Sequence, residues 1–358
     1  MSQVIVALSG GVDSAVAALL LKRSGWQVRA MFMKNWEQDD TPTYCAAAAD
    51  LKAAQQVADK IDIELLTVNF ATEYWDYVFT YFLDQYRAGY TPNPDILCNS
   101  EIKFKAFLDH AISLGASTIA TGHYAKIHHD ATDAHLMLAQ DSLKDQTYFL
   151  YRLNQHQLQH SNFPLANLTK SEVRHIANNA GLPNANRPDS TGLCFIGERP
   201  FRQFLAQYLP AQPGPIKCHT TEQILGQHQG LIHYTIGQRR GLGIGGMQGY
   251  QHTPWFVVTK DLPTNTLYVV PGHDHPLLWT TTLTADTCSW INSAQPQPTI
   301  TYQARIRHRQ PLQNCMLDPL GHNTYRIRFQ HPQWAKAPGQ SVVLYQNNQC
   351  LGGCTIRS

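Results

Sequence analysis

Charge is scarce in this 358-residue chain: 15% of residues are Asp, Glu, Lys or Arg, and 28 basic against 26 acidic side chains leave a formal net of +2. With 43% hydrophobic residues, this balance excludes a disordered chain, which has too few apolar groups to offset the entropy of ordering. Long hydrophobic runs are missing as well. The longest, Ala15 to Leu21, is far short of the ~20 residues that cross a bilayer, so no membrane role is expected. The start, Met1-Ser2-Gln3-Val4, lacks the basic region, apolar core and small-residue cleavage site of a secretion signal, which predicts a cytoplasmic protein. In that reducing compartment its eight cysteines are expected as thiols, metal ligands or catalysts rather than permanent disulfides. No internal repeat is evident, and at ~100–200 residues per domain the length predicts two or three domains.

What charge there is lies unevenly. From His273 to Ser358, seven basic residues face three acidic ones, a net of +4 that leaves −2 on the remaining 272 residues. A basic C-terminal third hints at a polyanionic partner.

Strand and helix signals alternate over the first two hundred residues. The apolar run Val4 to Leu8 ends in Ser9-Gly10-Gly11, and helix is expected from Ala15 to Lys22. Val28 to Met33 reads as strand, Tyr44 to Ile61 as helix, Glu64 to Asn69 as strand and Glu73 to Tyr86 as an aromatic-rich helix. After Thr91-Pro92-Asn93-Pro94, which two prolines hold out of a helix, Ile102 to Ile112 is helical and Thr118 to Thr121 a strand. Repeated βα units predict an α/β fold, a doubly wound parallel sheet with helices on both faces. Ligands of such sheets sit at the carboxyl ends of the strands, where Ser9, Met33 and Gly122 lie. Thr169-Lys170-Ser171-Glu172 has the form of a capping box opening a helix to Ala180. Beyond it the alternation stops. Ala211-Gln212-Pro213-Gly214-Pro215 reads as a linker, and short strands with frequent Gly and Pro predict two smaller β-rich domains, the last a β-barrel. The expected domains are 1–200, 201–272 and 273–358.

Three motifs carry chemistry. Ser9-Gly10-Gly11-Val12-Asp13-Ser14 stands between a buried strand and a helix, so its glycines admit an anion to the backbone and the helix N-terminus offers N–H groups. No Gly-Lys-Ser/Thr follows, which excludes a Walker A loop. In Asn93-Pro94-Asp95-Ile96-Leu97-Cys98-Asn99 a carboxylate three residues before a cysteine could exchange protons with the thiol; alone, Cys98 fits a buried core residue better. Asp189-Ser190-Thr191-Gly192-Leu193-Cys194-Phe195-Ile196-Gly197 is a polar loop with another cysteine, and alone reads as structural.

The first motif resembles the pyrophosphate-binding loop of the ATP pyrophosphatase (PP-loop) superfamily. The three in this order resemble the bacterial tRNA-specific 2-thiouridylase family, and Phe32-Met33-Lys34-Asn35-Trp36, Thr121-Gly122-His123-Tyr124, Lys144-Asp145-Gln146, Gly237 to Gly243 and Pro338-Gly339-Gln340-Ser341 extend the likeness to the end of the chain. One departure is Cys350-Leu351-Gly352-Gly353-Cys354, whose last residue is a cysteine. The resemblance implies ATP-dependent replacement of the C2 oxygen of the wobble uridine by sulfur in tRNAs for lysine, glutamate and glutamine, with ATP and Mg²⁺ as cofactors and a sulfur-relay protein as persulfide donor. It implies that Cys194 carries the persulfide and that Cys98 either attacks it, leaving a Cys98–Cys194 disulfide, or resolves the enzyme after direct transfer, with Asp95 as general acid and base. ATP contacts carry over to Ala7, Leu8, Ser9, Gly10, Gly11, Val12, Asp13, Ser14, Met33 and Gly122. Contacts to tRNA carry over to Asn93, Pro94, Asp95, His123, Lys144, Asp145, Gln146, Arg307, His308 and Gln340.

Alternation in Thr301 to Arg309 puts Tyr302, Ala304 and Ile306 on one strand face and Arg305, Arg307 and Arg309 on the other, and Tyr325 to Phe329 repeats the pattern with Arg326 and Arg328. Two paired strands would present up to five arginines to a phosphate backbone. A metal site at Cys350 and Cys354 is not expected, since no second pair stands at zinc-finger distance. The loop Asp189 to Gly197 has little apolar anchoring and is expected to move during turnover. Two rivals remain at this point: a PP-loop ligase of small metabolites, which needs no cysteine pair, and a non-catalytic tRNA-binding protein.

Overall fold

In the computed structural model, residues 3–37, 47–189, 201–244 and 253–358 are described. Alternate residues of β1 (Gln3–Ala7) enter different cores. Val4 and Val6 pack with α1 (Val12–Arg23) and α2 (Ala48–Ile61), while Ile5 and Ala7 pack with an aromatic cluster from the helical stretch 71–113. A strand buried on both faces is the mark of a doubly wound sheet, as expected. β1 lies between β2 (Gln27–Lys34) and β4 (Thr118–Ala120), with β3 (Leu65–Asn69) beyond β2 and β7 (Ser161–Asn162) beyond β4, every pair parallel. The strand order reverses between β1 and β4, so their carboxyl ends frame the crevice where such folds bind ligands.

The expected helix Glu73 to Tyr86 runs as Ala71–Tyr74, a π-helical Trp75–Phe79 and Thr80–Arg87. Of the expected helix Tyr44 to Ile61, residues 44–46 lie outside the described residues and α2 begins at Ala48. The capping box forms in full: Thr169 and Glu172 bond each other's backbone N–H and open α4 (Lys170–Asn179), after the short α3 (Pro94–Leu97). Among the described residues, no helix is long and apolar enough to cross a membrane.

A four-stranded sheet follows, ordered β10-β11-β8-β9 from β8 (Gly214–Cys218), β9 (Ile224–His228), β10 (Trp255–Asp261) and β11 (Thr266–Pro271). The expected linker is therefore shorter than its Pro and Gly content suggests, since Gly214 and Pro215 already pair with His228 and Gln227. Six further strands close a barrel: β12 (Trp279–Trp290), β13 (Tyr302–Arg305), β14 (Gln313–Gly321), β15 (Thr324–Trp334), β16 (Ser341–Gln346) and β17 (Gln349–Ile356), ordered β12-β15-β14-β13-β16-β17 with β12 pairing back to β17.

The barrel is welded to the first domain. Val342 and Leu344 of β16 fill the barrel, whereas Val343 and Tyr345 on its other face belong to the core beneath the parallel sheet. A hairpin of the first domain, β5 (Lys126–His129) and β6 (Ala134–Met137), adds to β17. Two expectations fail here. β13 and β15 do not pair, because β14 lies between them. Cys288 and Cys354 form a disulfide, against the expectation of free thiols, because a register shift between Asp286 and Ser289 sets Cys288 opposite Cys354 on the paired β12 and β17.

Candidate active site

The chain leaves β1 at Ala7, and the buried Leu8 donates its N–H to the Met31 carbonyl at 3.0 Å, two residues before the half-buried Met33 of β2. Ser14 Oγ then ties the turn: it accepts from Ser9 N at 3.2 Å and donates to the Gly11 carbonyl at 3.0 Å. Gly10 has φ +79°, and a Cβ there would stand 2.6 Å from the Asp50 carbonyl oxygen. Only glycine meets both demands. α1 starts with the buried Val12 and has no capping side chain, which leaves its first-turn N–H groups for an anion. On the far side of the crevice, a Cβ on Gly122 would stand 2.6 Å from Ser14 N. The turn after β4 thus packs directly on the loop after β1.

Asp13 is the electrostatic centre of this loop. It accepts from Tyr124 Oη at 2.8 Å and from Lys170 Nζ at 2.8 Å through both oxygens. Lys170 also pairs with Asp189 at 2.7 Å, and Asp189 is held by Lys144 at 2.6 Å and Arg174 at 3.1 Å. Burial works to raise the Asp189 carboxyl, but the hydrogen bonds from Lys144 and Lys170 outweigh it and hold the group down at about 2. Asn184 and Arg187 both donate to the Gly10 carbonyl, and Arg187 pairs with Asp50 of α2.

The second motif opens a short helix that runs into a buried π-helical segment. Asn93 Oδ1 accepts from Asp95 N at 3.1 Å and, with Pro94 in the first turn, starts α3. Cys98 follows, fully buried at the head of a π-helical segment, Cys98–Ala106, a geometry frequent at functional sites. Burial raises the half-buried Asp95 carboxyl, while the charges of Lys103 and His308 oppose the rise. Burial, and then Lys103, push His123 well below its usual range, so its imidazole is neutral. His123 Nδ1 lies 2.7 Å from Thr121 Oγ1. Lys103 therefore acts on both Asp95 and the turn that packs on the Ser9–Ser14 loop.

The raised Asp95 carboxyl predicts a pH effect on stability. Its folded value lies above the ~3.9 of an unfolded chain, so the native state holds the proton longer and loses stability as pH rises from ~3.9 through the raised value. Asp95→Asn removes that loss. Melting curves from about pH 3 to pH 8 are expected to show the variant's advantage over wild type growing as pH rises past ~3.9 and then levelling; a variant that becomes the less stable protein as pH rises would contradict it.

The barrel and the first domain together contribute the remaining expected residues. Gln340 Nε2 donates to the Thr91 carbonyl at 2.7 Å, and Thr91 N to the Pro338 carbonyl at 2.8 Å, which fixes the segment leading into Asn93. His308 Nε2 lies 2.9 Å from the Asp145 carbonyl oxygen with its ring 4.5 Å from that of Phe149. Gln146 Oε1 accepts from Tyr124 N at 2.9 Å. Arg307 donates to the Ile236 and Ala335 carbonyls, clamping the middle domain to the barrel. The expected arginine face forms only in part: Arg309, Arg326 and Arg328 are exposed, Arg307 is half-buried and Arg305 is covered. Arg305 is 6% exposed, pairs with Asp145 at 3.5 Å and stacks on Tyr345, because the outer face of β13 is covered by the first domain. Arg328 is held by Asp318 of β14.

Cys194, the rest of its loop from Ser190, and its pairing with Cys98 lie outside the described residues. Sequence reasoning missed Lys170 and Lys103 as site residues. Lys170 had a signal, a lysine inside a capping box, where a cation opposes the helix dipole and needs another reason to be there.

A parallel α/β sheet with an anion-ready loop after its first strand, fused to a β-barrel, defines a PP-loop protein with an added β module. Family models named tRNA methyl transferase HUP domain, tRNA methyl transferase PRC-barrel domain and Aminomethyltransferase beta-barrel domain match residues 2–198, 202–271 and 280–356. The chain is 57% identical over 356 residues to the tRNA-specific 2-thiouridylase MnmA of Nitrosomonas eutropha, covering 99% of this chain and 98% of that protein. It is 57% identical over 357 residues to that of Methylobacillus flagellatus, covering 99% of each chain, and 56% identical over 358 residues to that of Thiobacillus denitrificans, again covering 99% of each. The chain belongs to the tRNA-specific 2-thiouridylase family. A solved structure described as a 4-thiouridine synthetase–RNA complex with bound ATP aligns with 55% of this chain and 45% of that one at 15% identity, with a TM-score of 0.34.

Proposed function

We propose that this protein is an ATP-dependent tRNA 2-thiouridylase that adenylates the C2 oxygen of the wobble uridine in tRNAs for lysine, glutamate and glutamine and replaces it with sulfur. One observation carries the reading: the Thr121–Tyr124 turn joins the two halves of the chemistry. Its Gly122 packs on Asp13 and Ser14 of the nucleotide loop, and its His123 shares the Lys103 charge with Asp95.

A uridine carbonyl is a poor electrophile with a poor leaving oxygen. In the first step the C2 oxygen bonds to the α-phosphorus of ATP, the bond to the β-phosphate oxygen breaks, and pyrophosphate departs with the electron pair. Asp95 takes the N3 proton, for which a carboxyl that burial has raised is a stronger base than an exposed one. Sulfur from a persulfide on Cys194, supplied by a relay protein, then adds at C2 and AMP leaves. Delivering sulfur at the sulfide level takes two electrons, which Cys98 and Cys194 provide by forming a disulfide that a cellular thiol must reduce before the next turnover. Mg²⁺ accompanies ATP in this scheme, and the uncapped α1 terminus with Gly10 and Ser14 suits a phosphate group.

Purified protein incubated with ATP, Mg²⁺, a sulfide source and unmodified lysine tRNA is expected to yield 2-thiouridine on nucleoside mass spectrometry, and none without ATP. Thiolation that proceeds equally well without ATP would overturn the reading.

A further inference from the structure

Lys170 stands at a place where its charge is unfavourable on its own helix. It is the first residue of α4, next to the positive end of the helix dipole, and its side chain is 13% exposed. Its ammonium bridges two carboxylates, 2.8 Å from both oxygens of Asp13 and 2.7 Å from Asp189. Each carboxylate has another donor: Tyr124 Oη for Asp13, and Lys144 and Arg174 for Asp189. Lys170 can therefore leave both without stranding either. The group it can move to is the cradle itself, since Asp13 belongs to the loop and the ammonium already lies one hydrogen bond from it. The local backbone is fixed independently of that ammonium, because Asp141 Oδ2 accepts from Lys170 N at 2.9 Å and Thr169 caps the helix.

We propose that Lys170 is a catalytic residue of the adenylation step, its ammonium passing from Asp13 and Asp189 to the phosphate oxygens of the nucleotide on the Ser9–Ser14 loop. This inference rests on reading that loop as an ATP site. There it balances the negative charge that collects on the departing pyrophosphate when the α–β phosphate bond breaks, a preorganised stabilisation that water would supply less well. No proton or electron is transferred through Lys170. The ion pairs with Asp13 and Asp189 hold it in position and neutralised until phosphate takes their place.

The test measures calorimetrically the affinity of a non-hydrolysable α,β-methylene ATP analogue and of adenosine, with melting temperatures alongside. Wild type is expected to bind the analogue; if it does not, the ATP reading of the loop fails and takes this inference with it. With wild type binding, Lys170→Met is expected to weaken the analogue by about tenfold or more, the scale of one charge-assisted hydrogen bond, while adenosine affinity holds. Lys170→Arg should restore most of the loss. The double variant Asp13→Asn/Lys170→Met separates binding from simple neutralisation of Asp13: it should remain weak, and recovery of wild-type affinity would overturn the proposal. Equal losses for analogue and adenosine, or no loss at all, would overturn it too. If Lys170→Met fails to melt cooperatively, Lys170→Gln takes its place under the same criteria.

Discussion

Asp95→Asn is expected to lower thiolation turnover by about 10²–10⁴-fold, the usual contribution of a positioned acid–base group, while tRNA affinity changes little. The carboxylate is the better base for the uracil proton, because burial and Lys103 push His123 well below its usual range and make its imidazole a poor proton acceptor. Asparagine keeps the shape and the hydrogen-bonding capacity but cannot accept that proton. The backbone should survive, since it is Asn93 Oδ1 and the Asp95 N–H, not the carboxylate, that start α3. Single-turnover assays with saturating tRNA separate the outcomes. A fall in rate at unchanged tRNA affinity is expected; a fall in affinity at unchanged rate would move Asp95 from chemistry to binding.

Arg305→Ala is expected to destabilise the protein by about 3–5 kcal/mol, the cost of stranding one member of a buried ion pair. The side chains of Arg305 and Asp145 are 7% and 2% exposed and stand 3.5 Å apart across the junction of barrel and first domain. Asp145 also accepts from Ala139 N and Thr147 Oγ1, and burial raises its carboxyl, so without Arg305 it takes up a proton or water enters the junction. Urea unfolding of Arg305→Ala, Asp145→Asn and the double variant tests this. The double variant should lose less than the sum of the two single ones. If Arg305 instead faced a phosphate backbone, its loss would flatten the salt dependence of tRNA binding and leave stability alone.

The contrast shows where sequence reading stops. Local rules marked the Ser9–Ser14 turn between strand and helix, since a buried strand, two glycines, flanking hydroxyls and a helix start lie within a few residues of each other. They found the capping box at Thr169 for the same reason. Alternation marked Tyr302, Ala304 and Ile306 as inward-facing, and they line the barrel core. Alternation cannot say what covers a strand's other face, and at β13 that cover is the first domain. The bridge from Lys170 to Asp13 spans 157 positions, and the β5–β6 hairpin joins a strand more than two hundred residues away. Neither leaves a mark in any local window. The Cys288–Cys354 bond belongs with them, since compartment argued against disulfides and only the barrel's closure brings the two residues together.

The central claim is that uridine is activated through its own oxygen. Lysine tRNA carrying ¹⁸O at C2 of the wobble uridine, turned over with ATP and a sulfide source, reports on it directly. The label is predicted to appear in the phosphate of AMP, one AMP and one pyrophosphate for each 2-thiouridine. Label in water or inorganic phosphate, with ADP as the nucleotide product, would contradict the account.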